Sequence, residues 1–376
     1  MDIRSFLTVA LTIGLAACGA ESDPGYTVPD GDAGSDGSTD AAPDPDAVVD
    51  PPADAAYEPG PDAADAILPD CSACPAVGTD LENLRCAIDL CDDEVFISQT
   101  YTSPVITNAG NLERSRAAVA RFGDSSNGLE PLLGGSYALM STGWAVPSTP
   151  PDAYDHNQTL TGGLFPASVP DPHASSEEYP AYDVVEWTLT LRAPMDAHGF
   201  QVHYVFFSVE YDEYVGREFN DKFYMLLVAA SVEGMEHPII NYTQCRPSVT
   251  TPDFVCPAGM PGCAEGEELC YIAINSALSE CCWYDGCTTM DSNTDITGTG
   301  FECGTSDVDY VGDYSMGFTY GSSTGWLVTE WLVEPGELFT IRFHLHDTAD
   351  CILDSTVLID KFVFVRDATP GTDILI

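Results

Sequence analysis

The sequence predicts an all-β protein with few short helices, built as an antiparallel, jelly-roll-like β-sandwich. From about residue 80 the chain is rich in aromatic and β-branched residues, separated by turns of Gly, Asp, Asn and Pro. Helical periodicity is scarce, and only residues 80–90 and 111–121 favour short helices. Five segments have the composition of strands, namely residues 184–191, 200–209, 222–230, 338–346 and 355–365.

The fourth of these strands shows the clearest alternation. Its apolar face carries Phe339, Ile341, Phe343 and Leu345, and its polar face carries Thr340, Arg342, His344 and His346. Successive side chains of a strand point to opposite faces, so the apolar face packs inward and the polar face meets solvent or a ligand. His344 and His346, with Asp347 behind them, are candidate transition-metal ligands. The alternative is a pair of exposed histidines.

The N-terminus predicts a bacterial lipoprotein signal. An apolar stretch over residues 6–15 leads into Ala16, Ala17 and Cys18. Small residues before a cysteine suit a peptidase that cleaves just ahead of the residue to be lipidated, and the stretch is too short to cross a bilayer comfortably. The expected location is the cell envelope, at the outer membrane or cell surface, with the membrane as a partner through the lipid on Cys18. The alternatives are a plain secretory peptide and a short anchor helix.

A spacer is predicted over residues 19–70. This segment consists mainly of Asp, Pro, Ala, Gly and Ser and contains no Lys or Arg. Such a composition cannot bury enough apolar area to offset its conformational entropy, so we expect it to be disordered and extended. A calcium-binding repeat is the alternative, but its Asp and Gly residues have no regular spacing.

The charge of the chain limits its partners. There are 12 Lys and Arg residues against 60 Asp and Glu, a formal net charge of −48. Nucleic acid is excluded because phosphate binding needs clustered cations. Glycans and surface proteins remain as partner classes, and a saline exterior explains the charge without any ligand.

Cysteine usage indicates an oxidising compartment. Besides Cys18 there are thirteen candidates for disulfides: Cys71, Cys74, Cys86, Cys91, Cys245, Cys256, Cys263, Cys270, Cys281, Cys282, Cys287, Cys303 and Cys351. The spacing from Cys71 to Cys91 also fits a zinc site. The odd number leaves one thiol free or bonded to another chain. Residues 245–303 predict an insertion stapled by its own disulfides, whose reduction leaves the sandwich strands folded.

One region supports a family resemblance. Residues 206–216, followed by Asn220, Asp221, Lys222 and Phe223, resemble the hallmark of choice-of-anchor L domains. Residues 140–143, 324–326 and 336–360 match other segments of that family in order, so the resemblance covers about 85–367. Val209 stands where the family usually has Glu, and the cysteine-rich segment is a departure. The resemblance implies an extracellular bacterial β domain with no established activity.

The resulting domain scheme has four parts. Residues 1–18 are the signal, 19–70 the spacer, 71–367 the sandwich with its insertion at 245–303, and 368–376 a C-terminal tail.

Two acidic loops predict a calcium site. Glu210, Asp212 and Asp221 lie in one loop between strands, and Asp347 and Asp354 lie in another. Crowded carboxylates repel one another unless a cation neutralises them, and Ca²⁺ binds six to eight oxygens. We therefore expect the two loops to meet in one site. The alternative is that a chain this acidic shows such clusters by chance, with its residues capping turns.

Two function classes remain. No G-x-S-x-G, H-E-x-x-H or glycine-rich phosphate loop is present, so no catalytic residue is predicted. The first class is a lipid-anchored, surface-exposed binding or adhesion module stabilised by calcium. The second is a secreted polysaccharide hydrolase using a carboxylate pair, supported by acidic clusters and by aromatic residues taken as exposed: Trp144, Trp187, Trp283, Trp326 and Trp331.

Overall fold

The computed structural model describes residues 66–67, 71, 77–123, 129–145, 160–161, 167–171, 179–210, 215–217, 219–233, 235, 238–278, 299, 301, 321–349, 351 and 353–375. The elements in these ranges are β1 Ala66–Ile67, α1 Leu81–Ala87, β2 Phe96–Thr102, α2 Ala109–Arg114, β3 Arg116–Val119, β4 Tyr137–Ser141, β5 Val169–Pro170, β6 Pro180–Arg192, β7 Gly199–Ser208, β8 Lys222–Val228, a 3-10 turn Ala230–Val232, β9 Tyr242–Gln244, β10 Phe254–Val255, β11 Glu268–Ala273, β12 Ser322–Ser323, β13 Leu327–Leu332, β14 Leu338–Thr348, β15 Ser355–Val365 and β16 Gly371–Ile374.

In the described ranges, two antiparallel sheets of eight strands each form the domain. Sheet 1 has the order β16-β13-β7-β15-β4-β3, with β1 beside β15 and β12 beside β7. Sheet 2 has the order β10-β11-β8-β14-β6-β2, with β5 beside β6 and β9 beside β11. The longest ladders pair β14 with β6 and β15 with β7. The predicted all-β antiparallel sandwich is confirmed.

The main core lies between the two sheets. The apolar face of β14 is buried as its alternation predicts, and it packs across the interface against sheet 1. Phe339 of β14 stacks on Phe200 of β7 with ring centroids 5.5 Å apart, and Tyr204 of β7 meets Phe223 of β8 at 5.3 Å. Side chains from the two inner faces therefore interdigitate as in other sandwiches.

The second predicted helix is only partly correct. The helix α2 ends at Arg114, and the next residues form β3, which pairs with β4. The Ser115 hydroxyl donates to the carbonyl of Leu112, and Ser115 caps the helix end. Ala117 is then buried on the outer side of sheet 1. Pairing with a distant strand therefore overrides the local helical pattern at residues 116–119.

The cysteine-rich segment is part of the sandwich as well as a source of disulfides. Its described residues include β10 and β11, and β11 pairs with β8 through Ile272 and Phe223. Cys245–Cys270 and Cys256–Cys263 both close loops within the segment. Cys281, Cys282, Cys287 and Cys303 lie outside the described residues, as does Cys74.

Two boundaries of the predicted scheme shift. Ala66–Ile67, placed in the spacer, forms β1 against β15. Gly371–Ile374, placed in the tail, forms β16 against β13. Both segments are short edge pairings, which local composition does not reveal because their hydrogen bonds come from distant strands. The signal and most of the spacer lie outside the described residues.

Candidate functional site: a buried acidic cluster

The two acidic loops meet at one end of the sandwich. The end of β7 and the start of β15 share this end of sheet 1, and the end of β14 and the start of β8 share it in sheet 2. The amide of Thr348 donates to Asp221 Oδ1 at 2.9 Å, and the Ser355 hydroxyl donates to Asp221 Oδ2 at 2.7 Å. The predicted juxtaposition of the two loops is thus present.

Four of the five predicted metal-site residues converge here. Glu210, Asp221, Asp347 and Asp354 are all buried, and Asp212 lies outside the described residues. The amide of Asp221 donates to Glu210 Oε2 at 3.3 Å, which ties the end of β7 to the start of β8.

Asp347 is buried in an electrostatically unfavourable position within the cluster. It is fully buried, and neither of its carboxylate oxygens makes a hydrogen bond of normal geometry to a described residue. Burial, followed by the negative charges of Asp221, Asp354 and Asp183, raises its pKa well above the usual range, and the nearby Thr142 hydroxyl offsets this only in part.

Asp183 is a fifth carboxylate in this cluster, and the sequence analysis missed it. The register between β14 and β6 shifts between Leu345 and Asp347, so β6 has one extra residue at the bulge. Asp183 lies there with φ of 41°, and its Oδ1 accepts a hydrogen bond from the amide of Thr161 at 2.9 Å. The sequence offered one signal for this position: an aspartate, which tolerates left-handed backbone, directly before the predicted strand 184–191. The bulge itself could not be predicted, because it depends on how β6 pairs with β14.

The Asp354 carboxylate lies against the backbone of Gly143. A Cβ on Gly143 would stand 1.8 Å from Asp354 Oδ2, so only glycine fits at that position. Beside it, the amide of Ser355 donates to the Thr142 hydroxyl at 2.9 Å, and the amide of Thr142 donates to the Ser355 carbonyl at 3.0 Å. Residues 140–143, singled out by the family resemblance, therefore form part of the wall of this cluster.

The carboxylates are neighbours without forming a ready-made coordination sphere. In the described ranges, no group of three or more His, Cys, Asp or Glu side chains has the arrangement of a metal site. Asp212 and Asp350, which belong to the same two loops, fall outside those ranges.

A second buried polar group, the histidine network, lies on the outer face of sheet 2. His344 Nδ1 is 3.2 Å from Glu186 Oε1, His344 Nε2 is 3.0 Å from His346 Nδ1, and His346 Nε2 is 3.5 Å from Asp171 Oδ2. Both histidines are buried, so the alternative of an exposed pair is wrong. Burial lowers the pKa of His346 and so favours the neutral ring, and Asp171 opposes this shift in part.

Lys222 balances the charge of the histidine network. Its Nζ lies 3.0 Å from Asp253 Oδ1 and 3.9 Å from Asp171 Oδ2. The Tyr224 hydroxyl donates to Asp171 Oδ2 at 2.8 Å, and the amide of Tyr271 donates to Asp253 Oδ2 at 2.9 Å. Asp253 and Tyr271 belong to the cysteine-rich segment, which thus covers Lys222 and Tyr224 of β8 beside the polar face of β14, where the sequence predicted solvent or a ligand.

The tryptophans that the structure describes do not form an exposed aromatic surface. Trp187, Trp326 and Trp331 are buried, contrary to the expectation that they are exposed. Trp144 is half-buried, with the Arg114 guanidinium 4.6 Å from its ring centroid, and Trp283 lies outside the described residues. Large aromatic rings in a sandwich add most to stability when they are buried, which local sequence does not distinguish from display.

Comparisons with known proteins add no relative. No family model matches the chain, and no curated protein or solved structure is significantly similar to it. Among the described residues, no helix has the length and apolar character needed to span a membrane.

Proposed function

We propose that this protein is a lipid-anchored, surface-displayed bacterial binding module. The observation that carries the proposal is the set of disulfides in the β domain: Cys71–Cys91, Cys245–Cys270 and Cys256–Cys263. Disulfides persist in oxidising compartments, so they support export. The pairing of Cys71 with Cys91 also removes two ligands from the zinc alternative. The apolar run ending at Cys18 supplies the export route and the anchor.

The spacer and the charge of the chain support display away from the membrane. Residues 19–70 lack Lys and Arg, so their acidic side chains repel one another and extend the segment. The resemblance to choice-of-anchor L domains stays a prediction that agrees with this reading. A glycan or a surface protein is the proposed partner class.

A hydrolase is less well supported than a binding module. A glycosidase needs two carboxyl groups that reach the scissile bond from opposite sides of a cleft. Glu210, Asp221, Asp347 and Asp354 are instead buried in the sandwich, so they cannot touch a polysaccharide without local opening. The hydrolase was also favoured by tryptophans that were expected to be exposed, but Trp187, Trp326 and Trp331 are buried.

Replacing the lipidated residue tests the anchor. We expect Cys18→Ser to be unprocessed or released from membranes and to lose incorporation of labelled fatty acid, because no thiol then accepts the lipid. Ser22→Ala, four residues downstream, is the matched control and should behave as wild type. A Cys18→Ser protein that still sediments with membranes at the mature size contradicts the proposal.

Glycan binding separates the two function classes. The purified protein is applied to an array of bacterial and host polysaccharides and is also incubated with them in solution. Binding without release of reducing ends supports the module. Release of reducing ends that a single carboxylate substitution abolishes establishes the hydrolase instead.

A further inference from the structure

We propose that the acidic cluster, defined as Asp183, Glu210, Asp221, Asp347 and Asp354, binds a calcium ion that fastens the two sheets together at one end of the sandwich. This inference goes beyond the binding module and does not depend on it, because the site is defined by side-chain positions inside the fold.

The charge of the cluster favours a bound cation. All five carboxylates are buried, and like charges at short range in a protein interior repel strongly unless they are protonated or neutralised. The charges that act on Asp347 among the described residues are all negative. Lys222, next in sequence to Asp221, directs its ammonium away to Asp253 at 3.0 Å.

Asp347 points independently to a ligand. A fully buried carboxylate whose two oxygens both lack a hydrogen bond of normal geometry is costly, because the Thr142 hydroxyl repays the desolvation only in part. The rest of the wall is well bonded: Asp221 accepts from Thr348 and Ser355. Asp221 is therefore well hydrogen-bonded, whereas Asp347 is not. A bound cation would contact the oxygens of Asp347.

The chemistry of the wall selects calcium. Its groups are carboxylates and hydroxyls, including those of Thr142 and Ser355, and the imidazoles of sheet 2 belong to the separate histidine network. Hard oxygen ligands in a variable geometry suit Ca²⁺, whereas Mg²⁺ demands a small octahedral site and keeps its water, and transition metals prefer nitrogen or sulfur. Because the carboxylates are not already arranged as a metal-binding set, they must draw in around the ion.

The ligands come from both sheets, so the ion acts on the whole domain. Asp183, Asp221 and Asp347 belong to or flank β6, β8 and β14 of sheet 2, whereas Glu210 and Asp354 flank β7 and β15 of sheet 1. An ion bound among them turns repulsion across the interface into attraction. A ligand that binds only the folded state adds to its stability, so the sandwich should be most stable where calcium is abundant.

The first test uses the full-length lipidated protein purified in detergent micelles. After gel filtration in a calcium buffer, elemental mass spectrometry should find about one calcium per chain. EDTA should lower the melting temperature by about 5–10 °C, and added CaCl₂, but not an equal concentration of MgCl₂, should restore it. Protein without bound calcium, whose melting temperature is the same in EDTA and in CaCl₂, overturns the proposal.

The second test asks whether one substitution changes the melting temperature in opposite directions with and without calcium. In calcium, Asp347→Asn should lower the melting temperature because a ligand is lost; in EDTA the same variant should melt above wild type because a repelling charge is gone. The matched control is Asp360→Asn, which alters a buried carboxylate elsewhere on β15 that accepts the amides of Leu132 and Lys361. Its effect should be the same in both buffers.

If Asp347→Asn shifts the melting temperature equally in both, the carboxylate has a structural role only and the proposal fails. If Asp347→Asn does not fold, Asp354→Asn takes its place under the same criteria.

Discussion

The acidic cluster and the histidine network are two buried polar groups on the same strand with opposite electrostatic composition. His346 and Asp347 are neighbours on β14, yet His346 lies among Asp171, His344 and Lys222, whereas the charged groups that act on Asp347 among the described residues are carboxylates. In the network every carboxylate finds a donor or a cation within the protein. Burial of charge is thus self-sufficient in one region, whereas in the other our calcium proposal adds an external cation.

Strand geometry explains how neighbours reach such different surroundings. Alternation along β14 sends His346 to the outer face of sheet 2 and Asp347 inward between the sheets. The pairing of His346 with Lys222 brings a cation beside the histidine network and sets Asp221 next to Asp347. The same register therefore completes one group and leaves the other with excess negative charge.

The largest effect is expected from removing the cation of the histidine network. Lys222→Met should lower the free energy of unfolding by about 3–5 kcal/mol, because it leaves Asp253 and Asp171 buried without their ion-pair partner. Urea denaturation in saturating calcium measures this. The matched control is Arg342→Met, which removes the ion pair with Glu186; the Arg342 side chain is 46% exposed, so the loss should be no more than about 1 kcal/mol. Similar losses for the two variants contradict the self-sufficient network.

A somewhat smaller effect is expected from opening the cover of that network. The double variant Cys245→Ser and Cys270→Ser should cost about 3 kcal/mol, since the disulfide closes a loop with a sequence separation of 25 residues. It should also raise the lowered pKa of His346 towards the ordinary histidine range, as read by NMR. The pair Cys256→Ser and Cys263→Ser, which opens a loop with a separation of 7, is the control and should cost less. Unchanged histidine titration in the first variant means that Cys245–Cys270 does not hold the cover. This prediction replaces the expectation that reduction spares the sandwich strands, because β11 pairs with β8.

The smallest effects are expected in the pH dependence, and the two regions should respond with opposite sign. In EDTA, the raised pKa of Asp347 stabilises the fold at low pH, and this contribution is lost as the pH rises above about 4. The lowered pKa of His346 stabilises the fold above about 6.5, and this contribution is lost as the pH falls. Urea midpoints across pH should show a flatter alkaline decline for Asp347→Asn and a flatter acid decline for His346→Gln. Parallel curves for both variants and wild type contradict the assignment.

The sequence by itself determined the strands and much of the cluster. The alternation in residues 338–346 identifies β14 because a half-buried strand must repeat every two residues, and residues 355–365 match β15 completely. Two acidic loops at strand ends were enough to predict that Asp221 meets Asp347 and Asp354.

The tertiary structure alone decided what lies opposite each face. Asp183 enters the cluster through a bulge in strand pairing, and residues 116–119 become a strand through a distant partner. His344 and His346 are buried among Glu186, Tyr224 and Asp171, which come from other segments of the chain. Local sequence encodes which residues alternate, but burial, register and charge pairing depend on contacts between segments far apart in the chain.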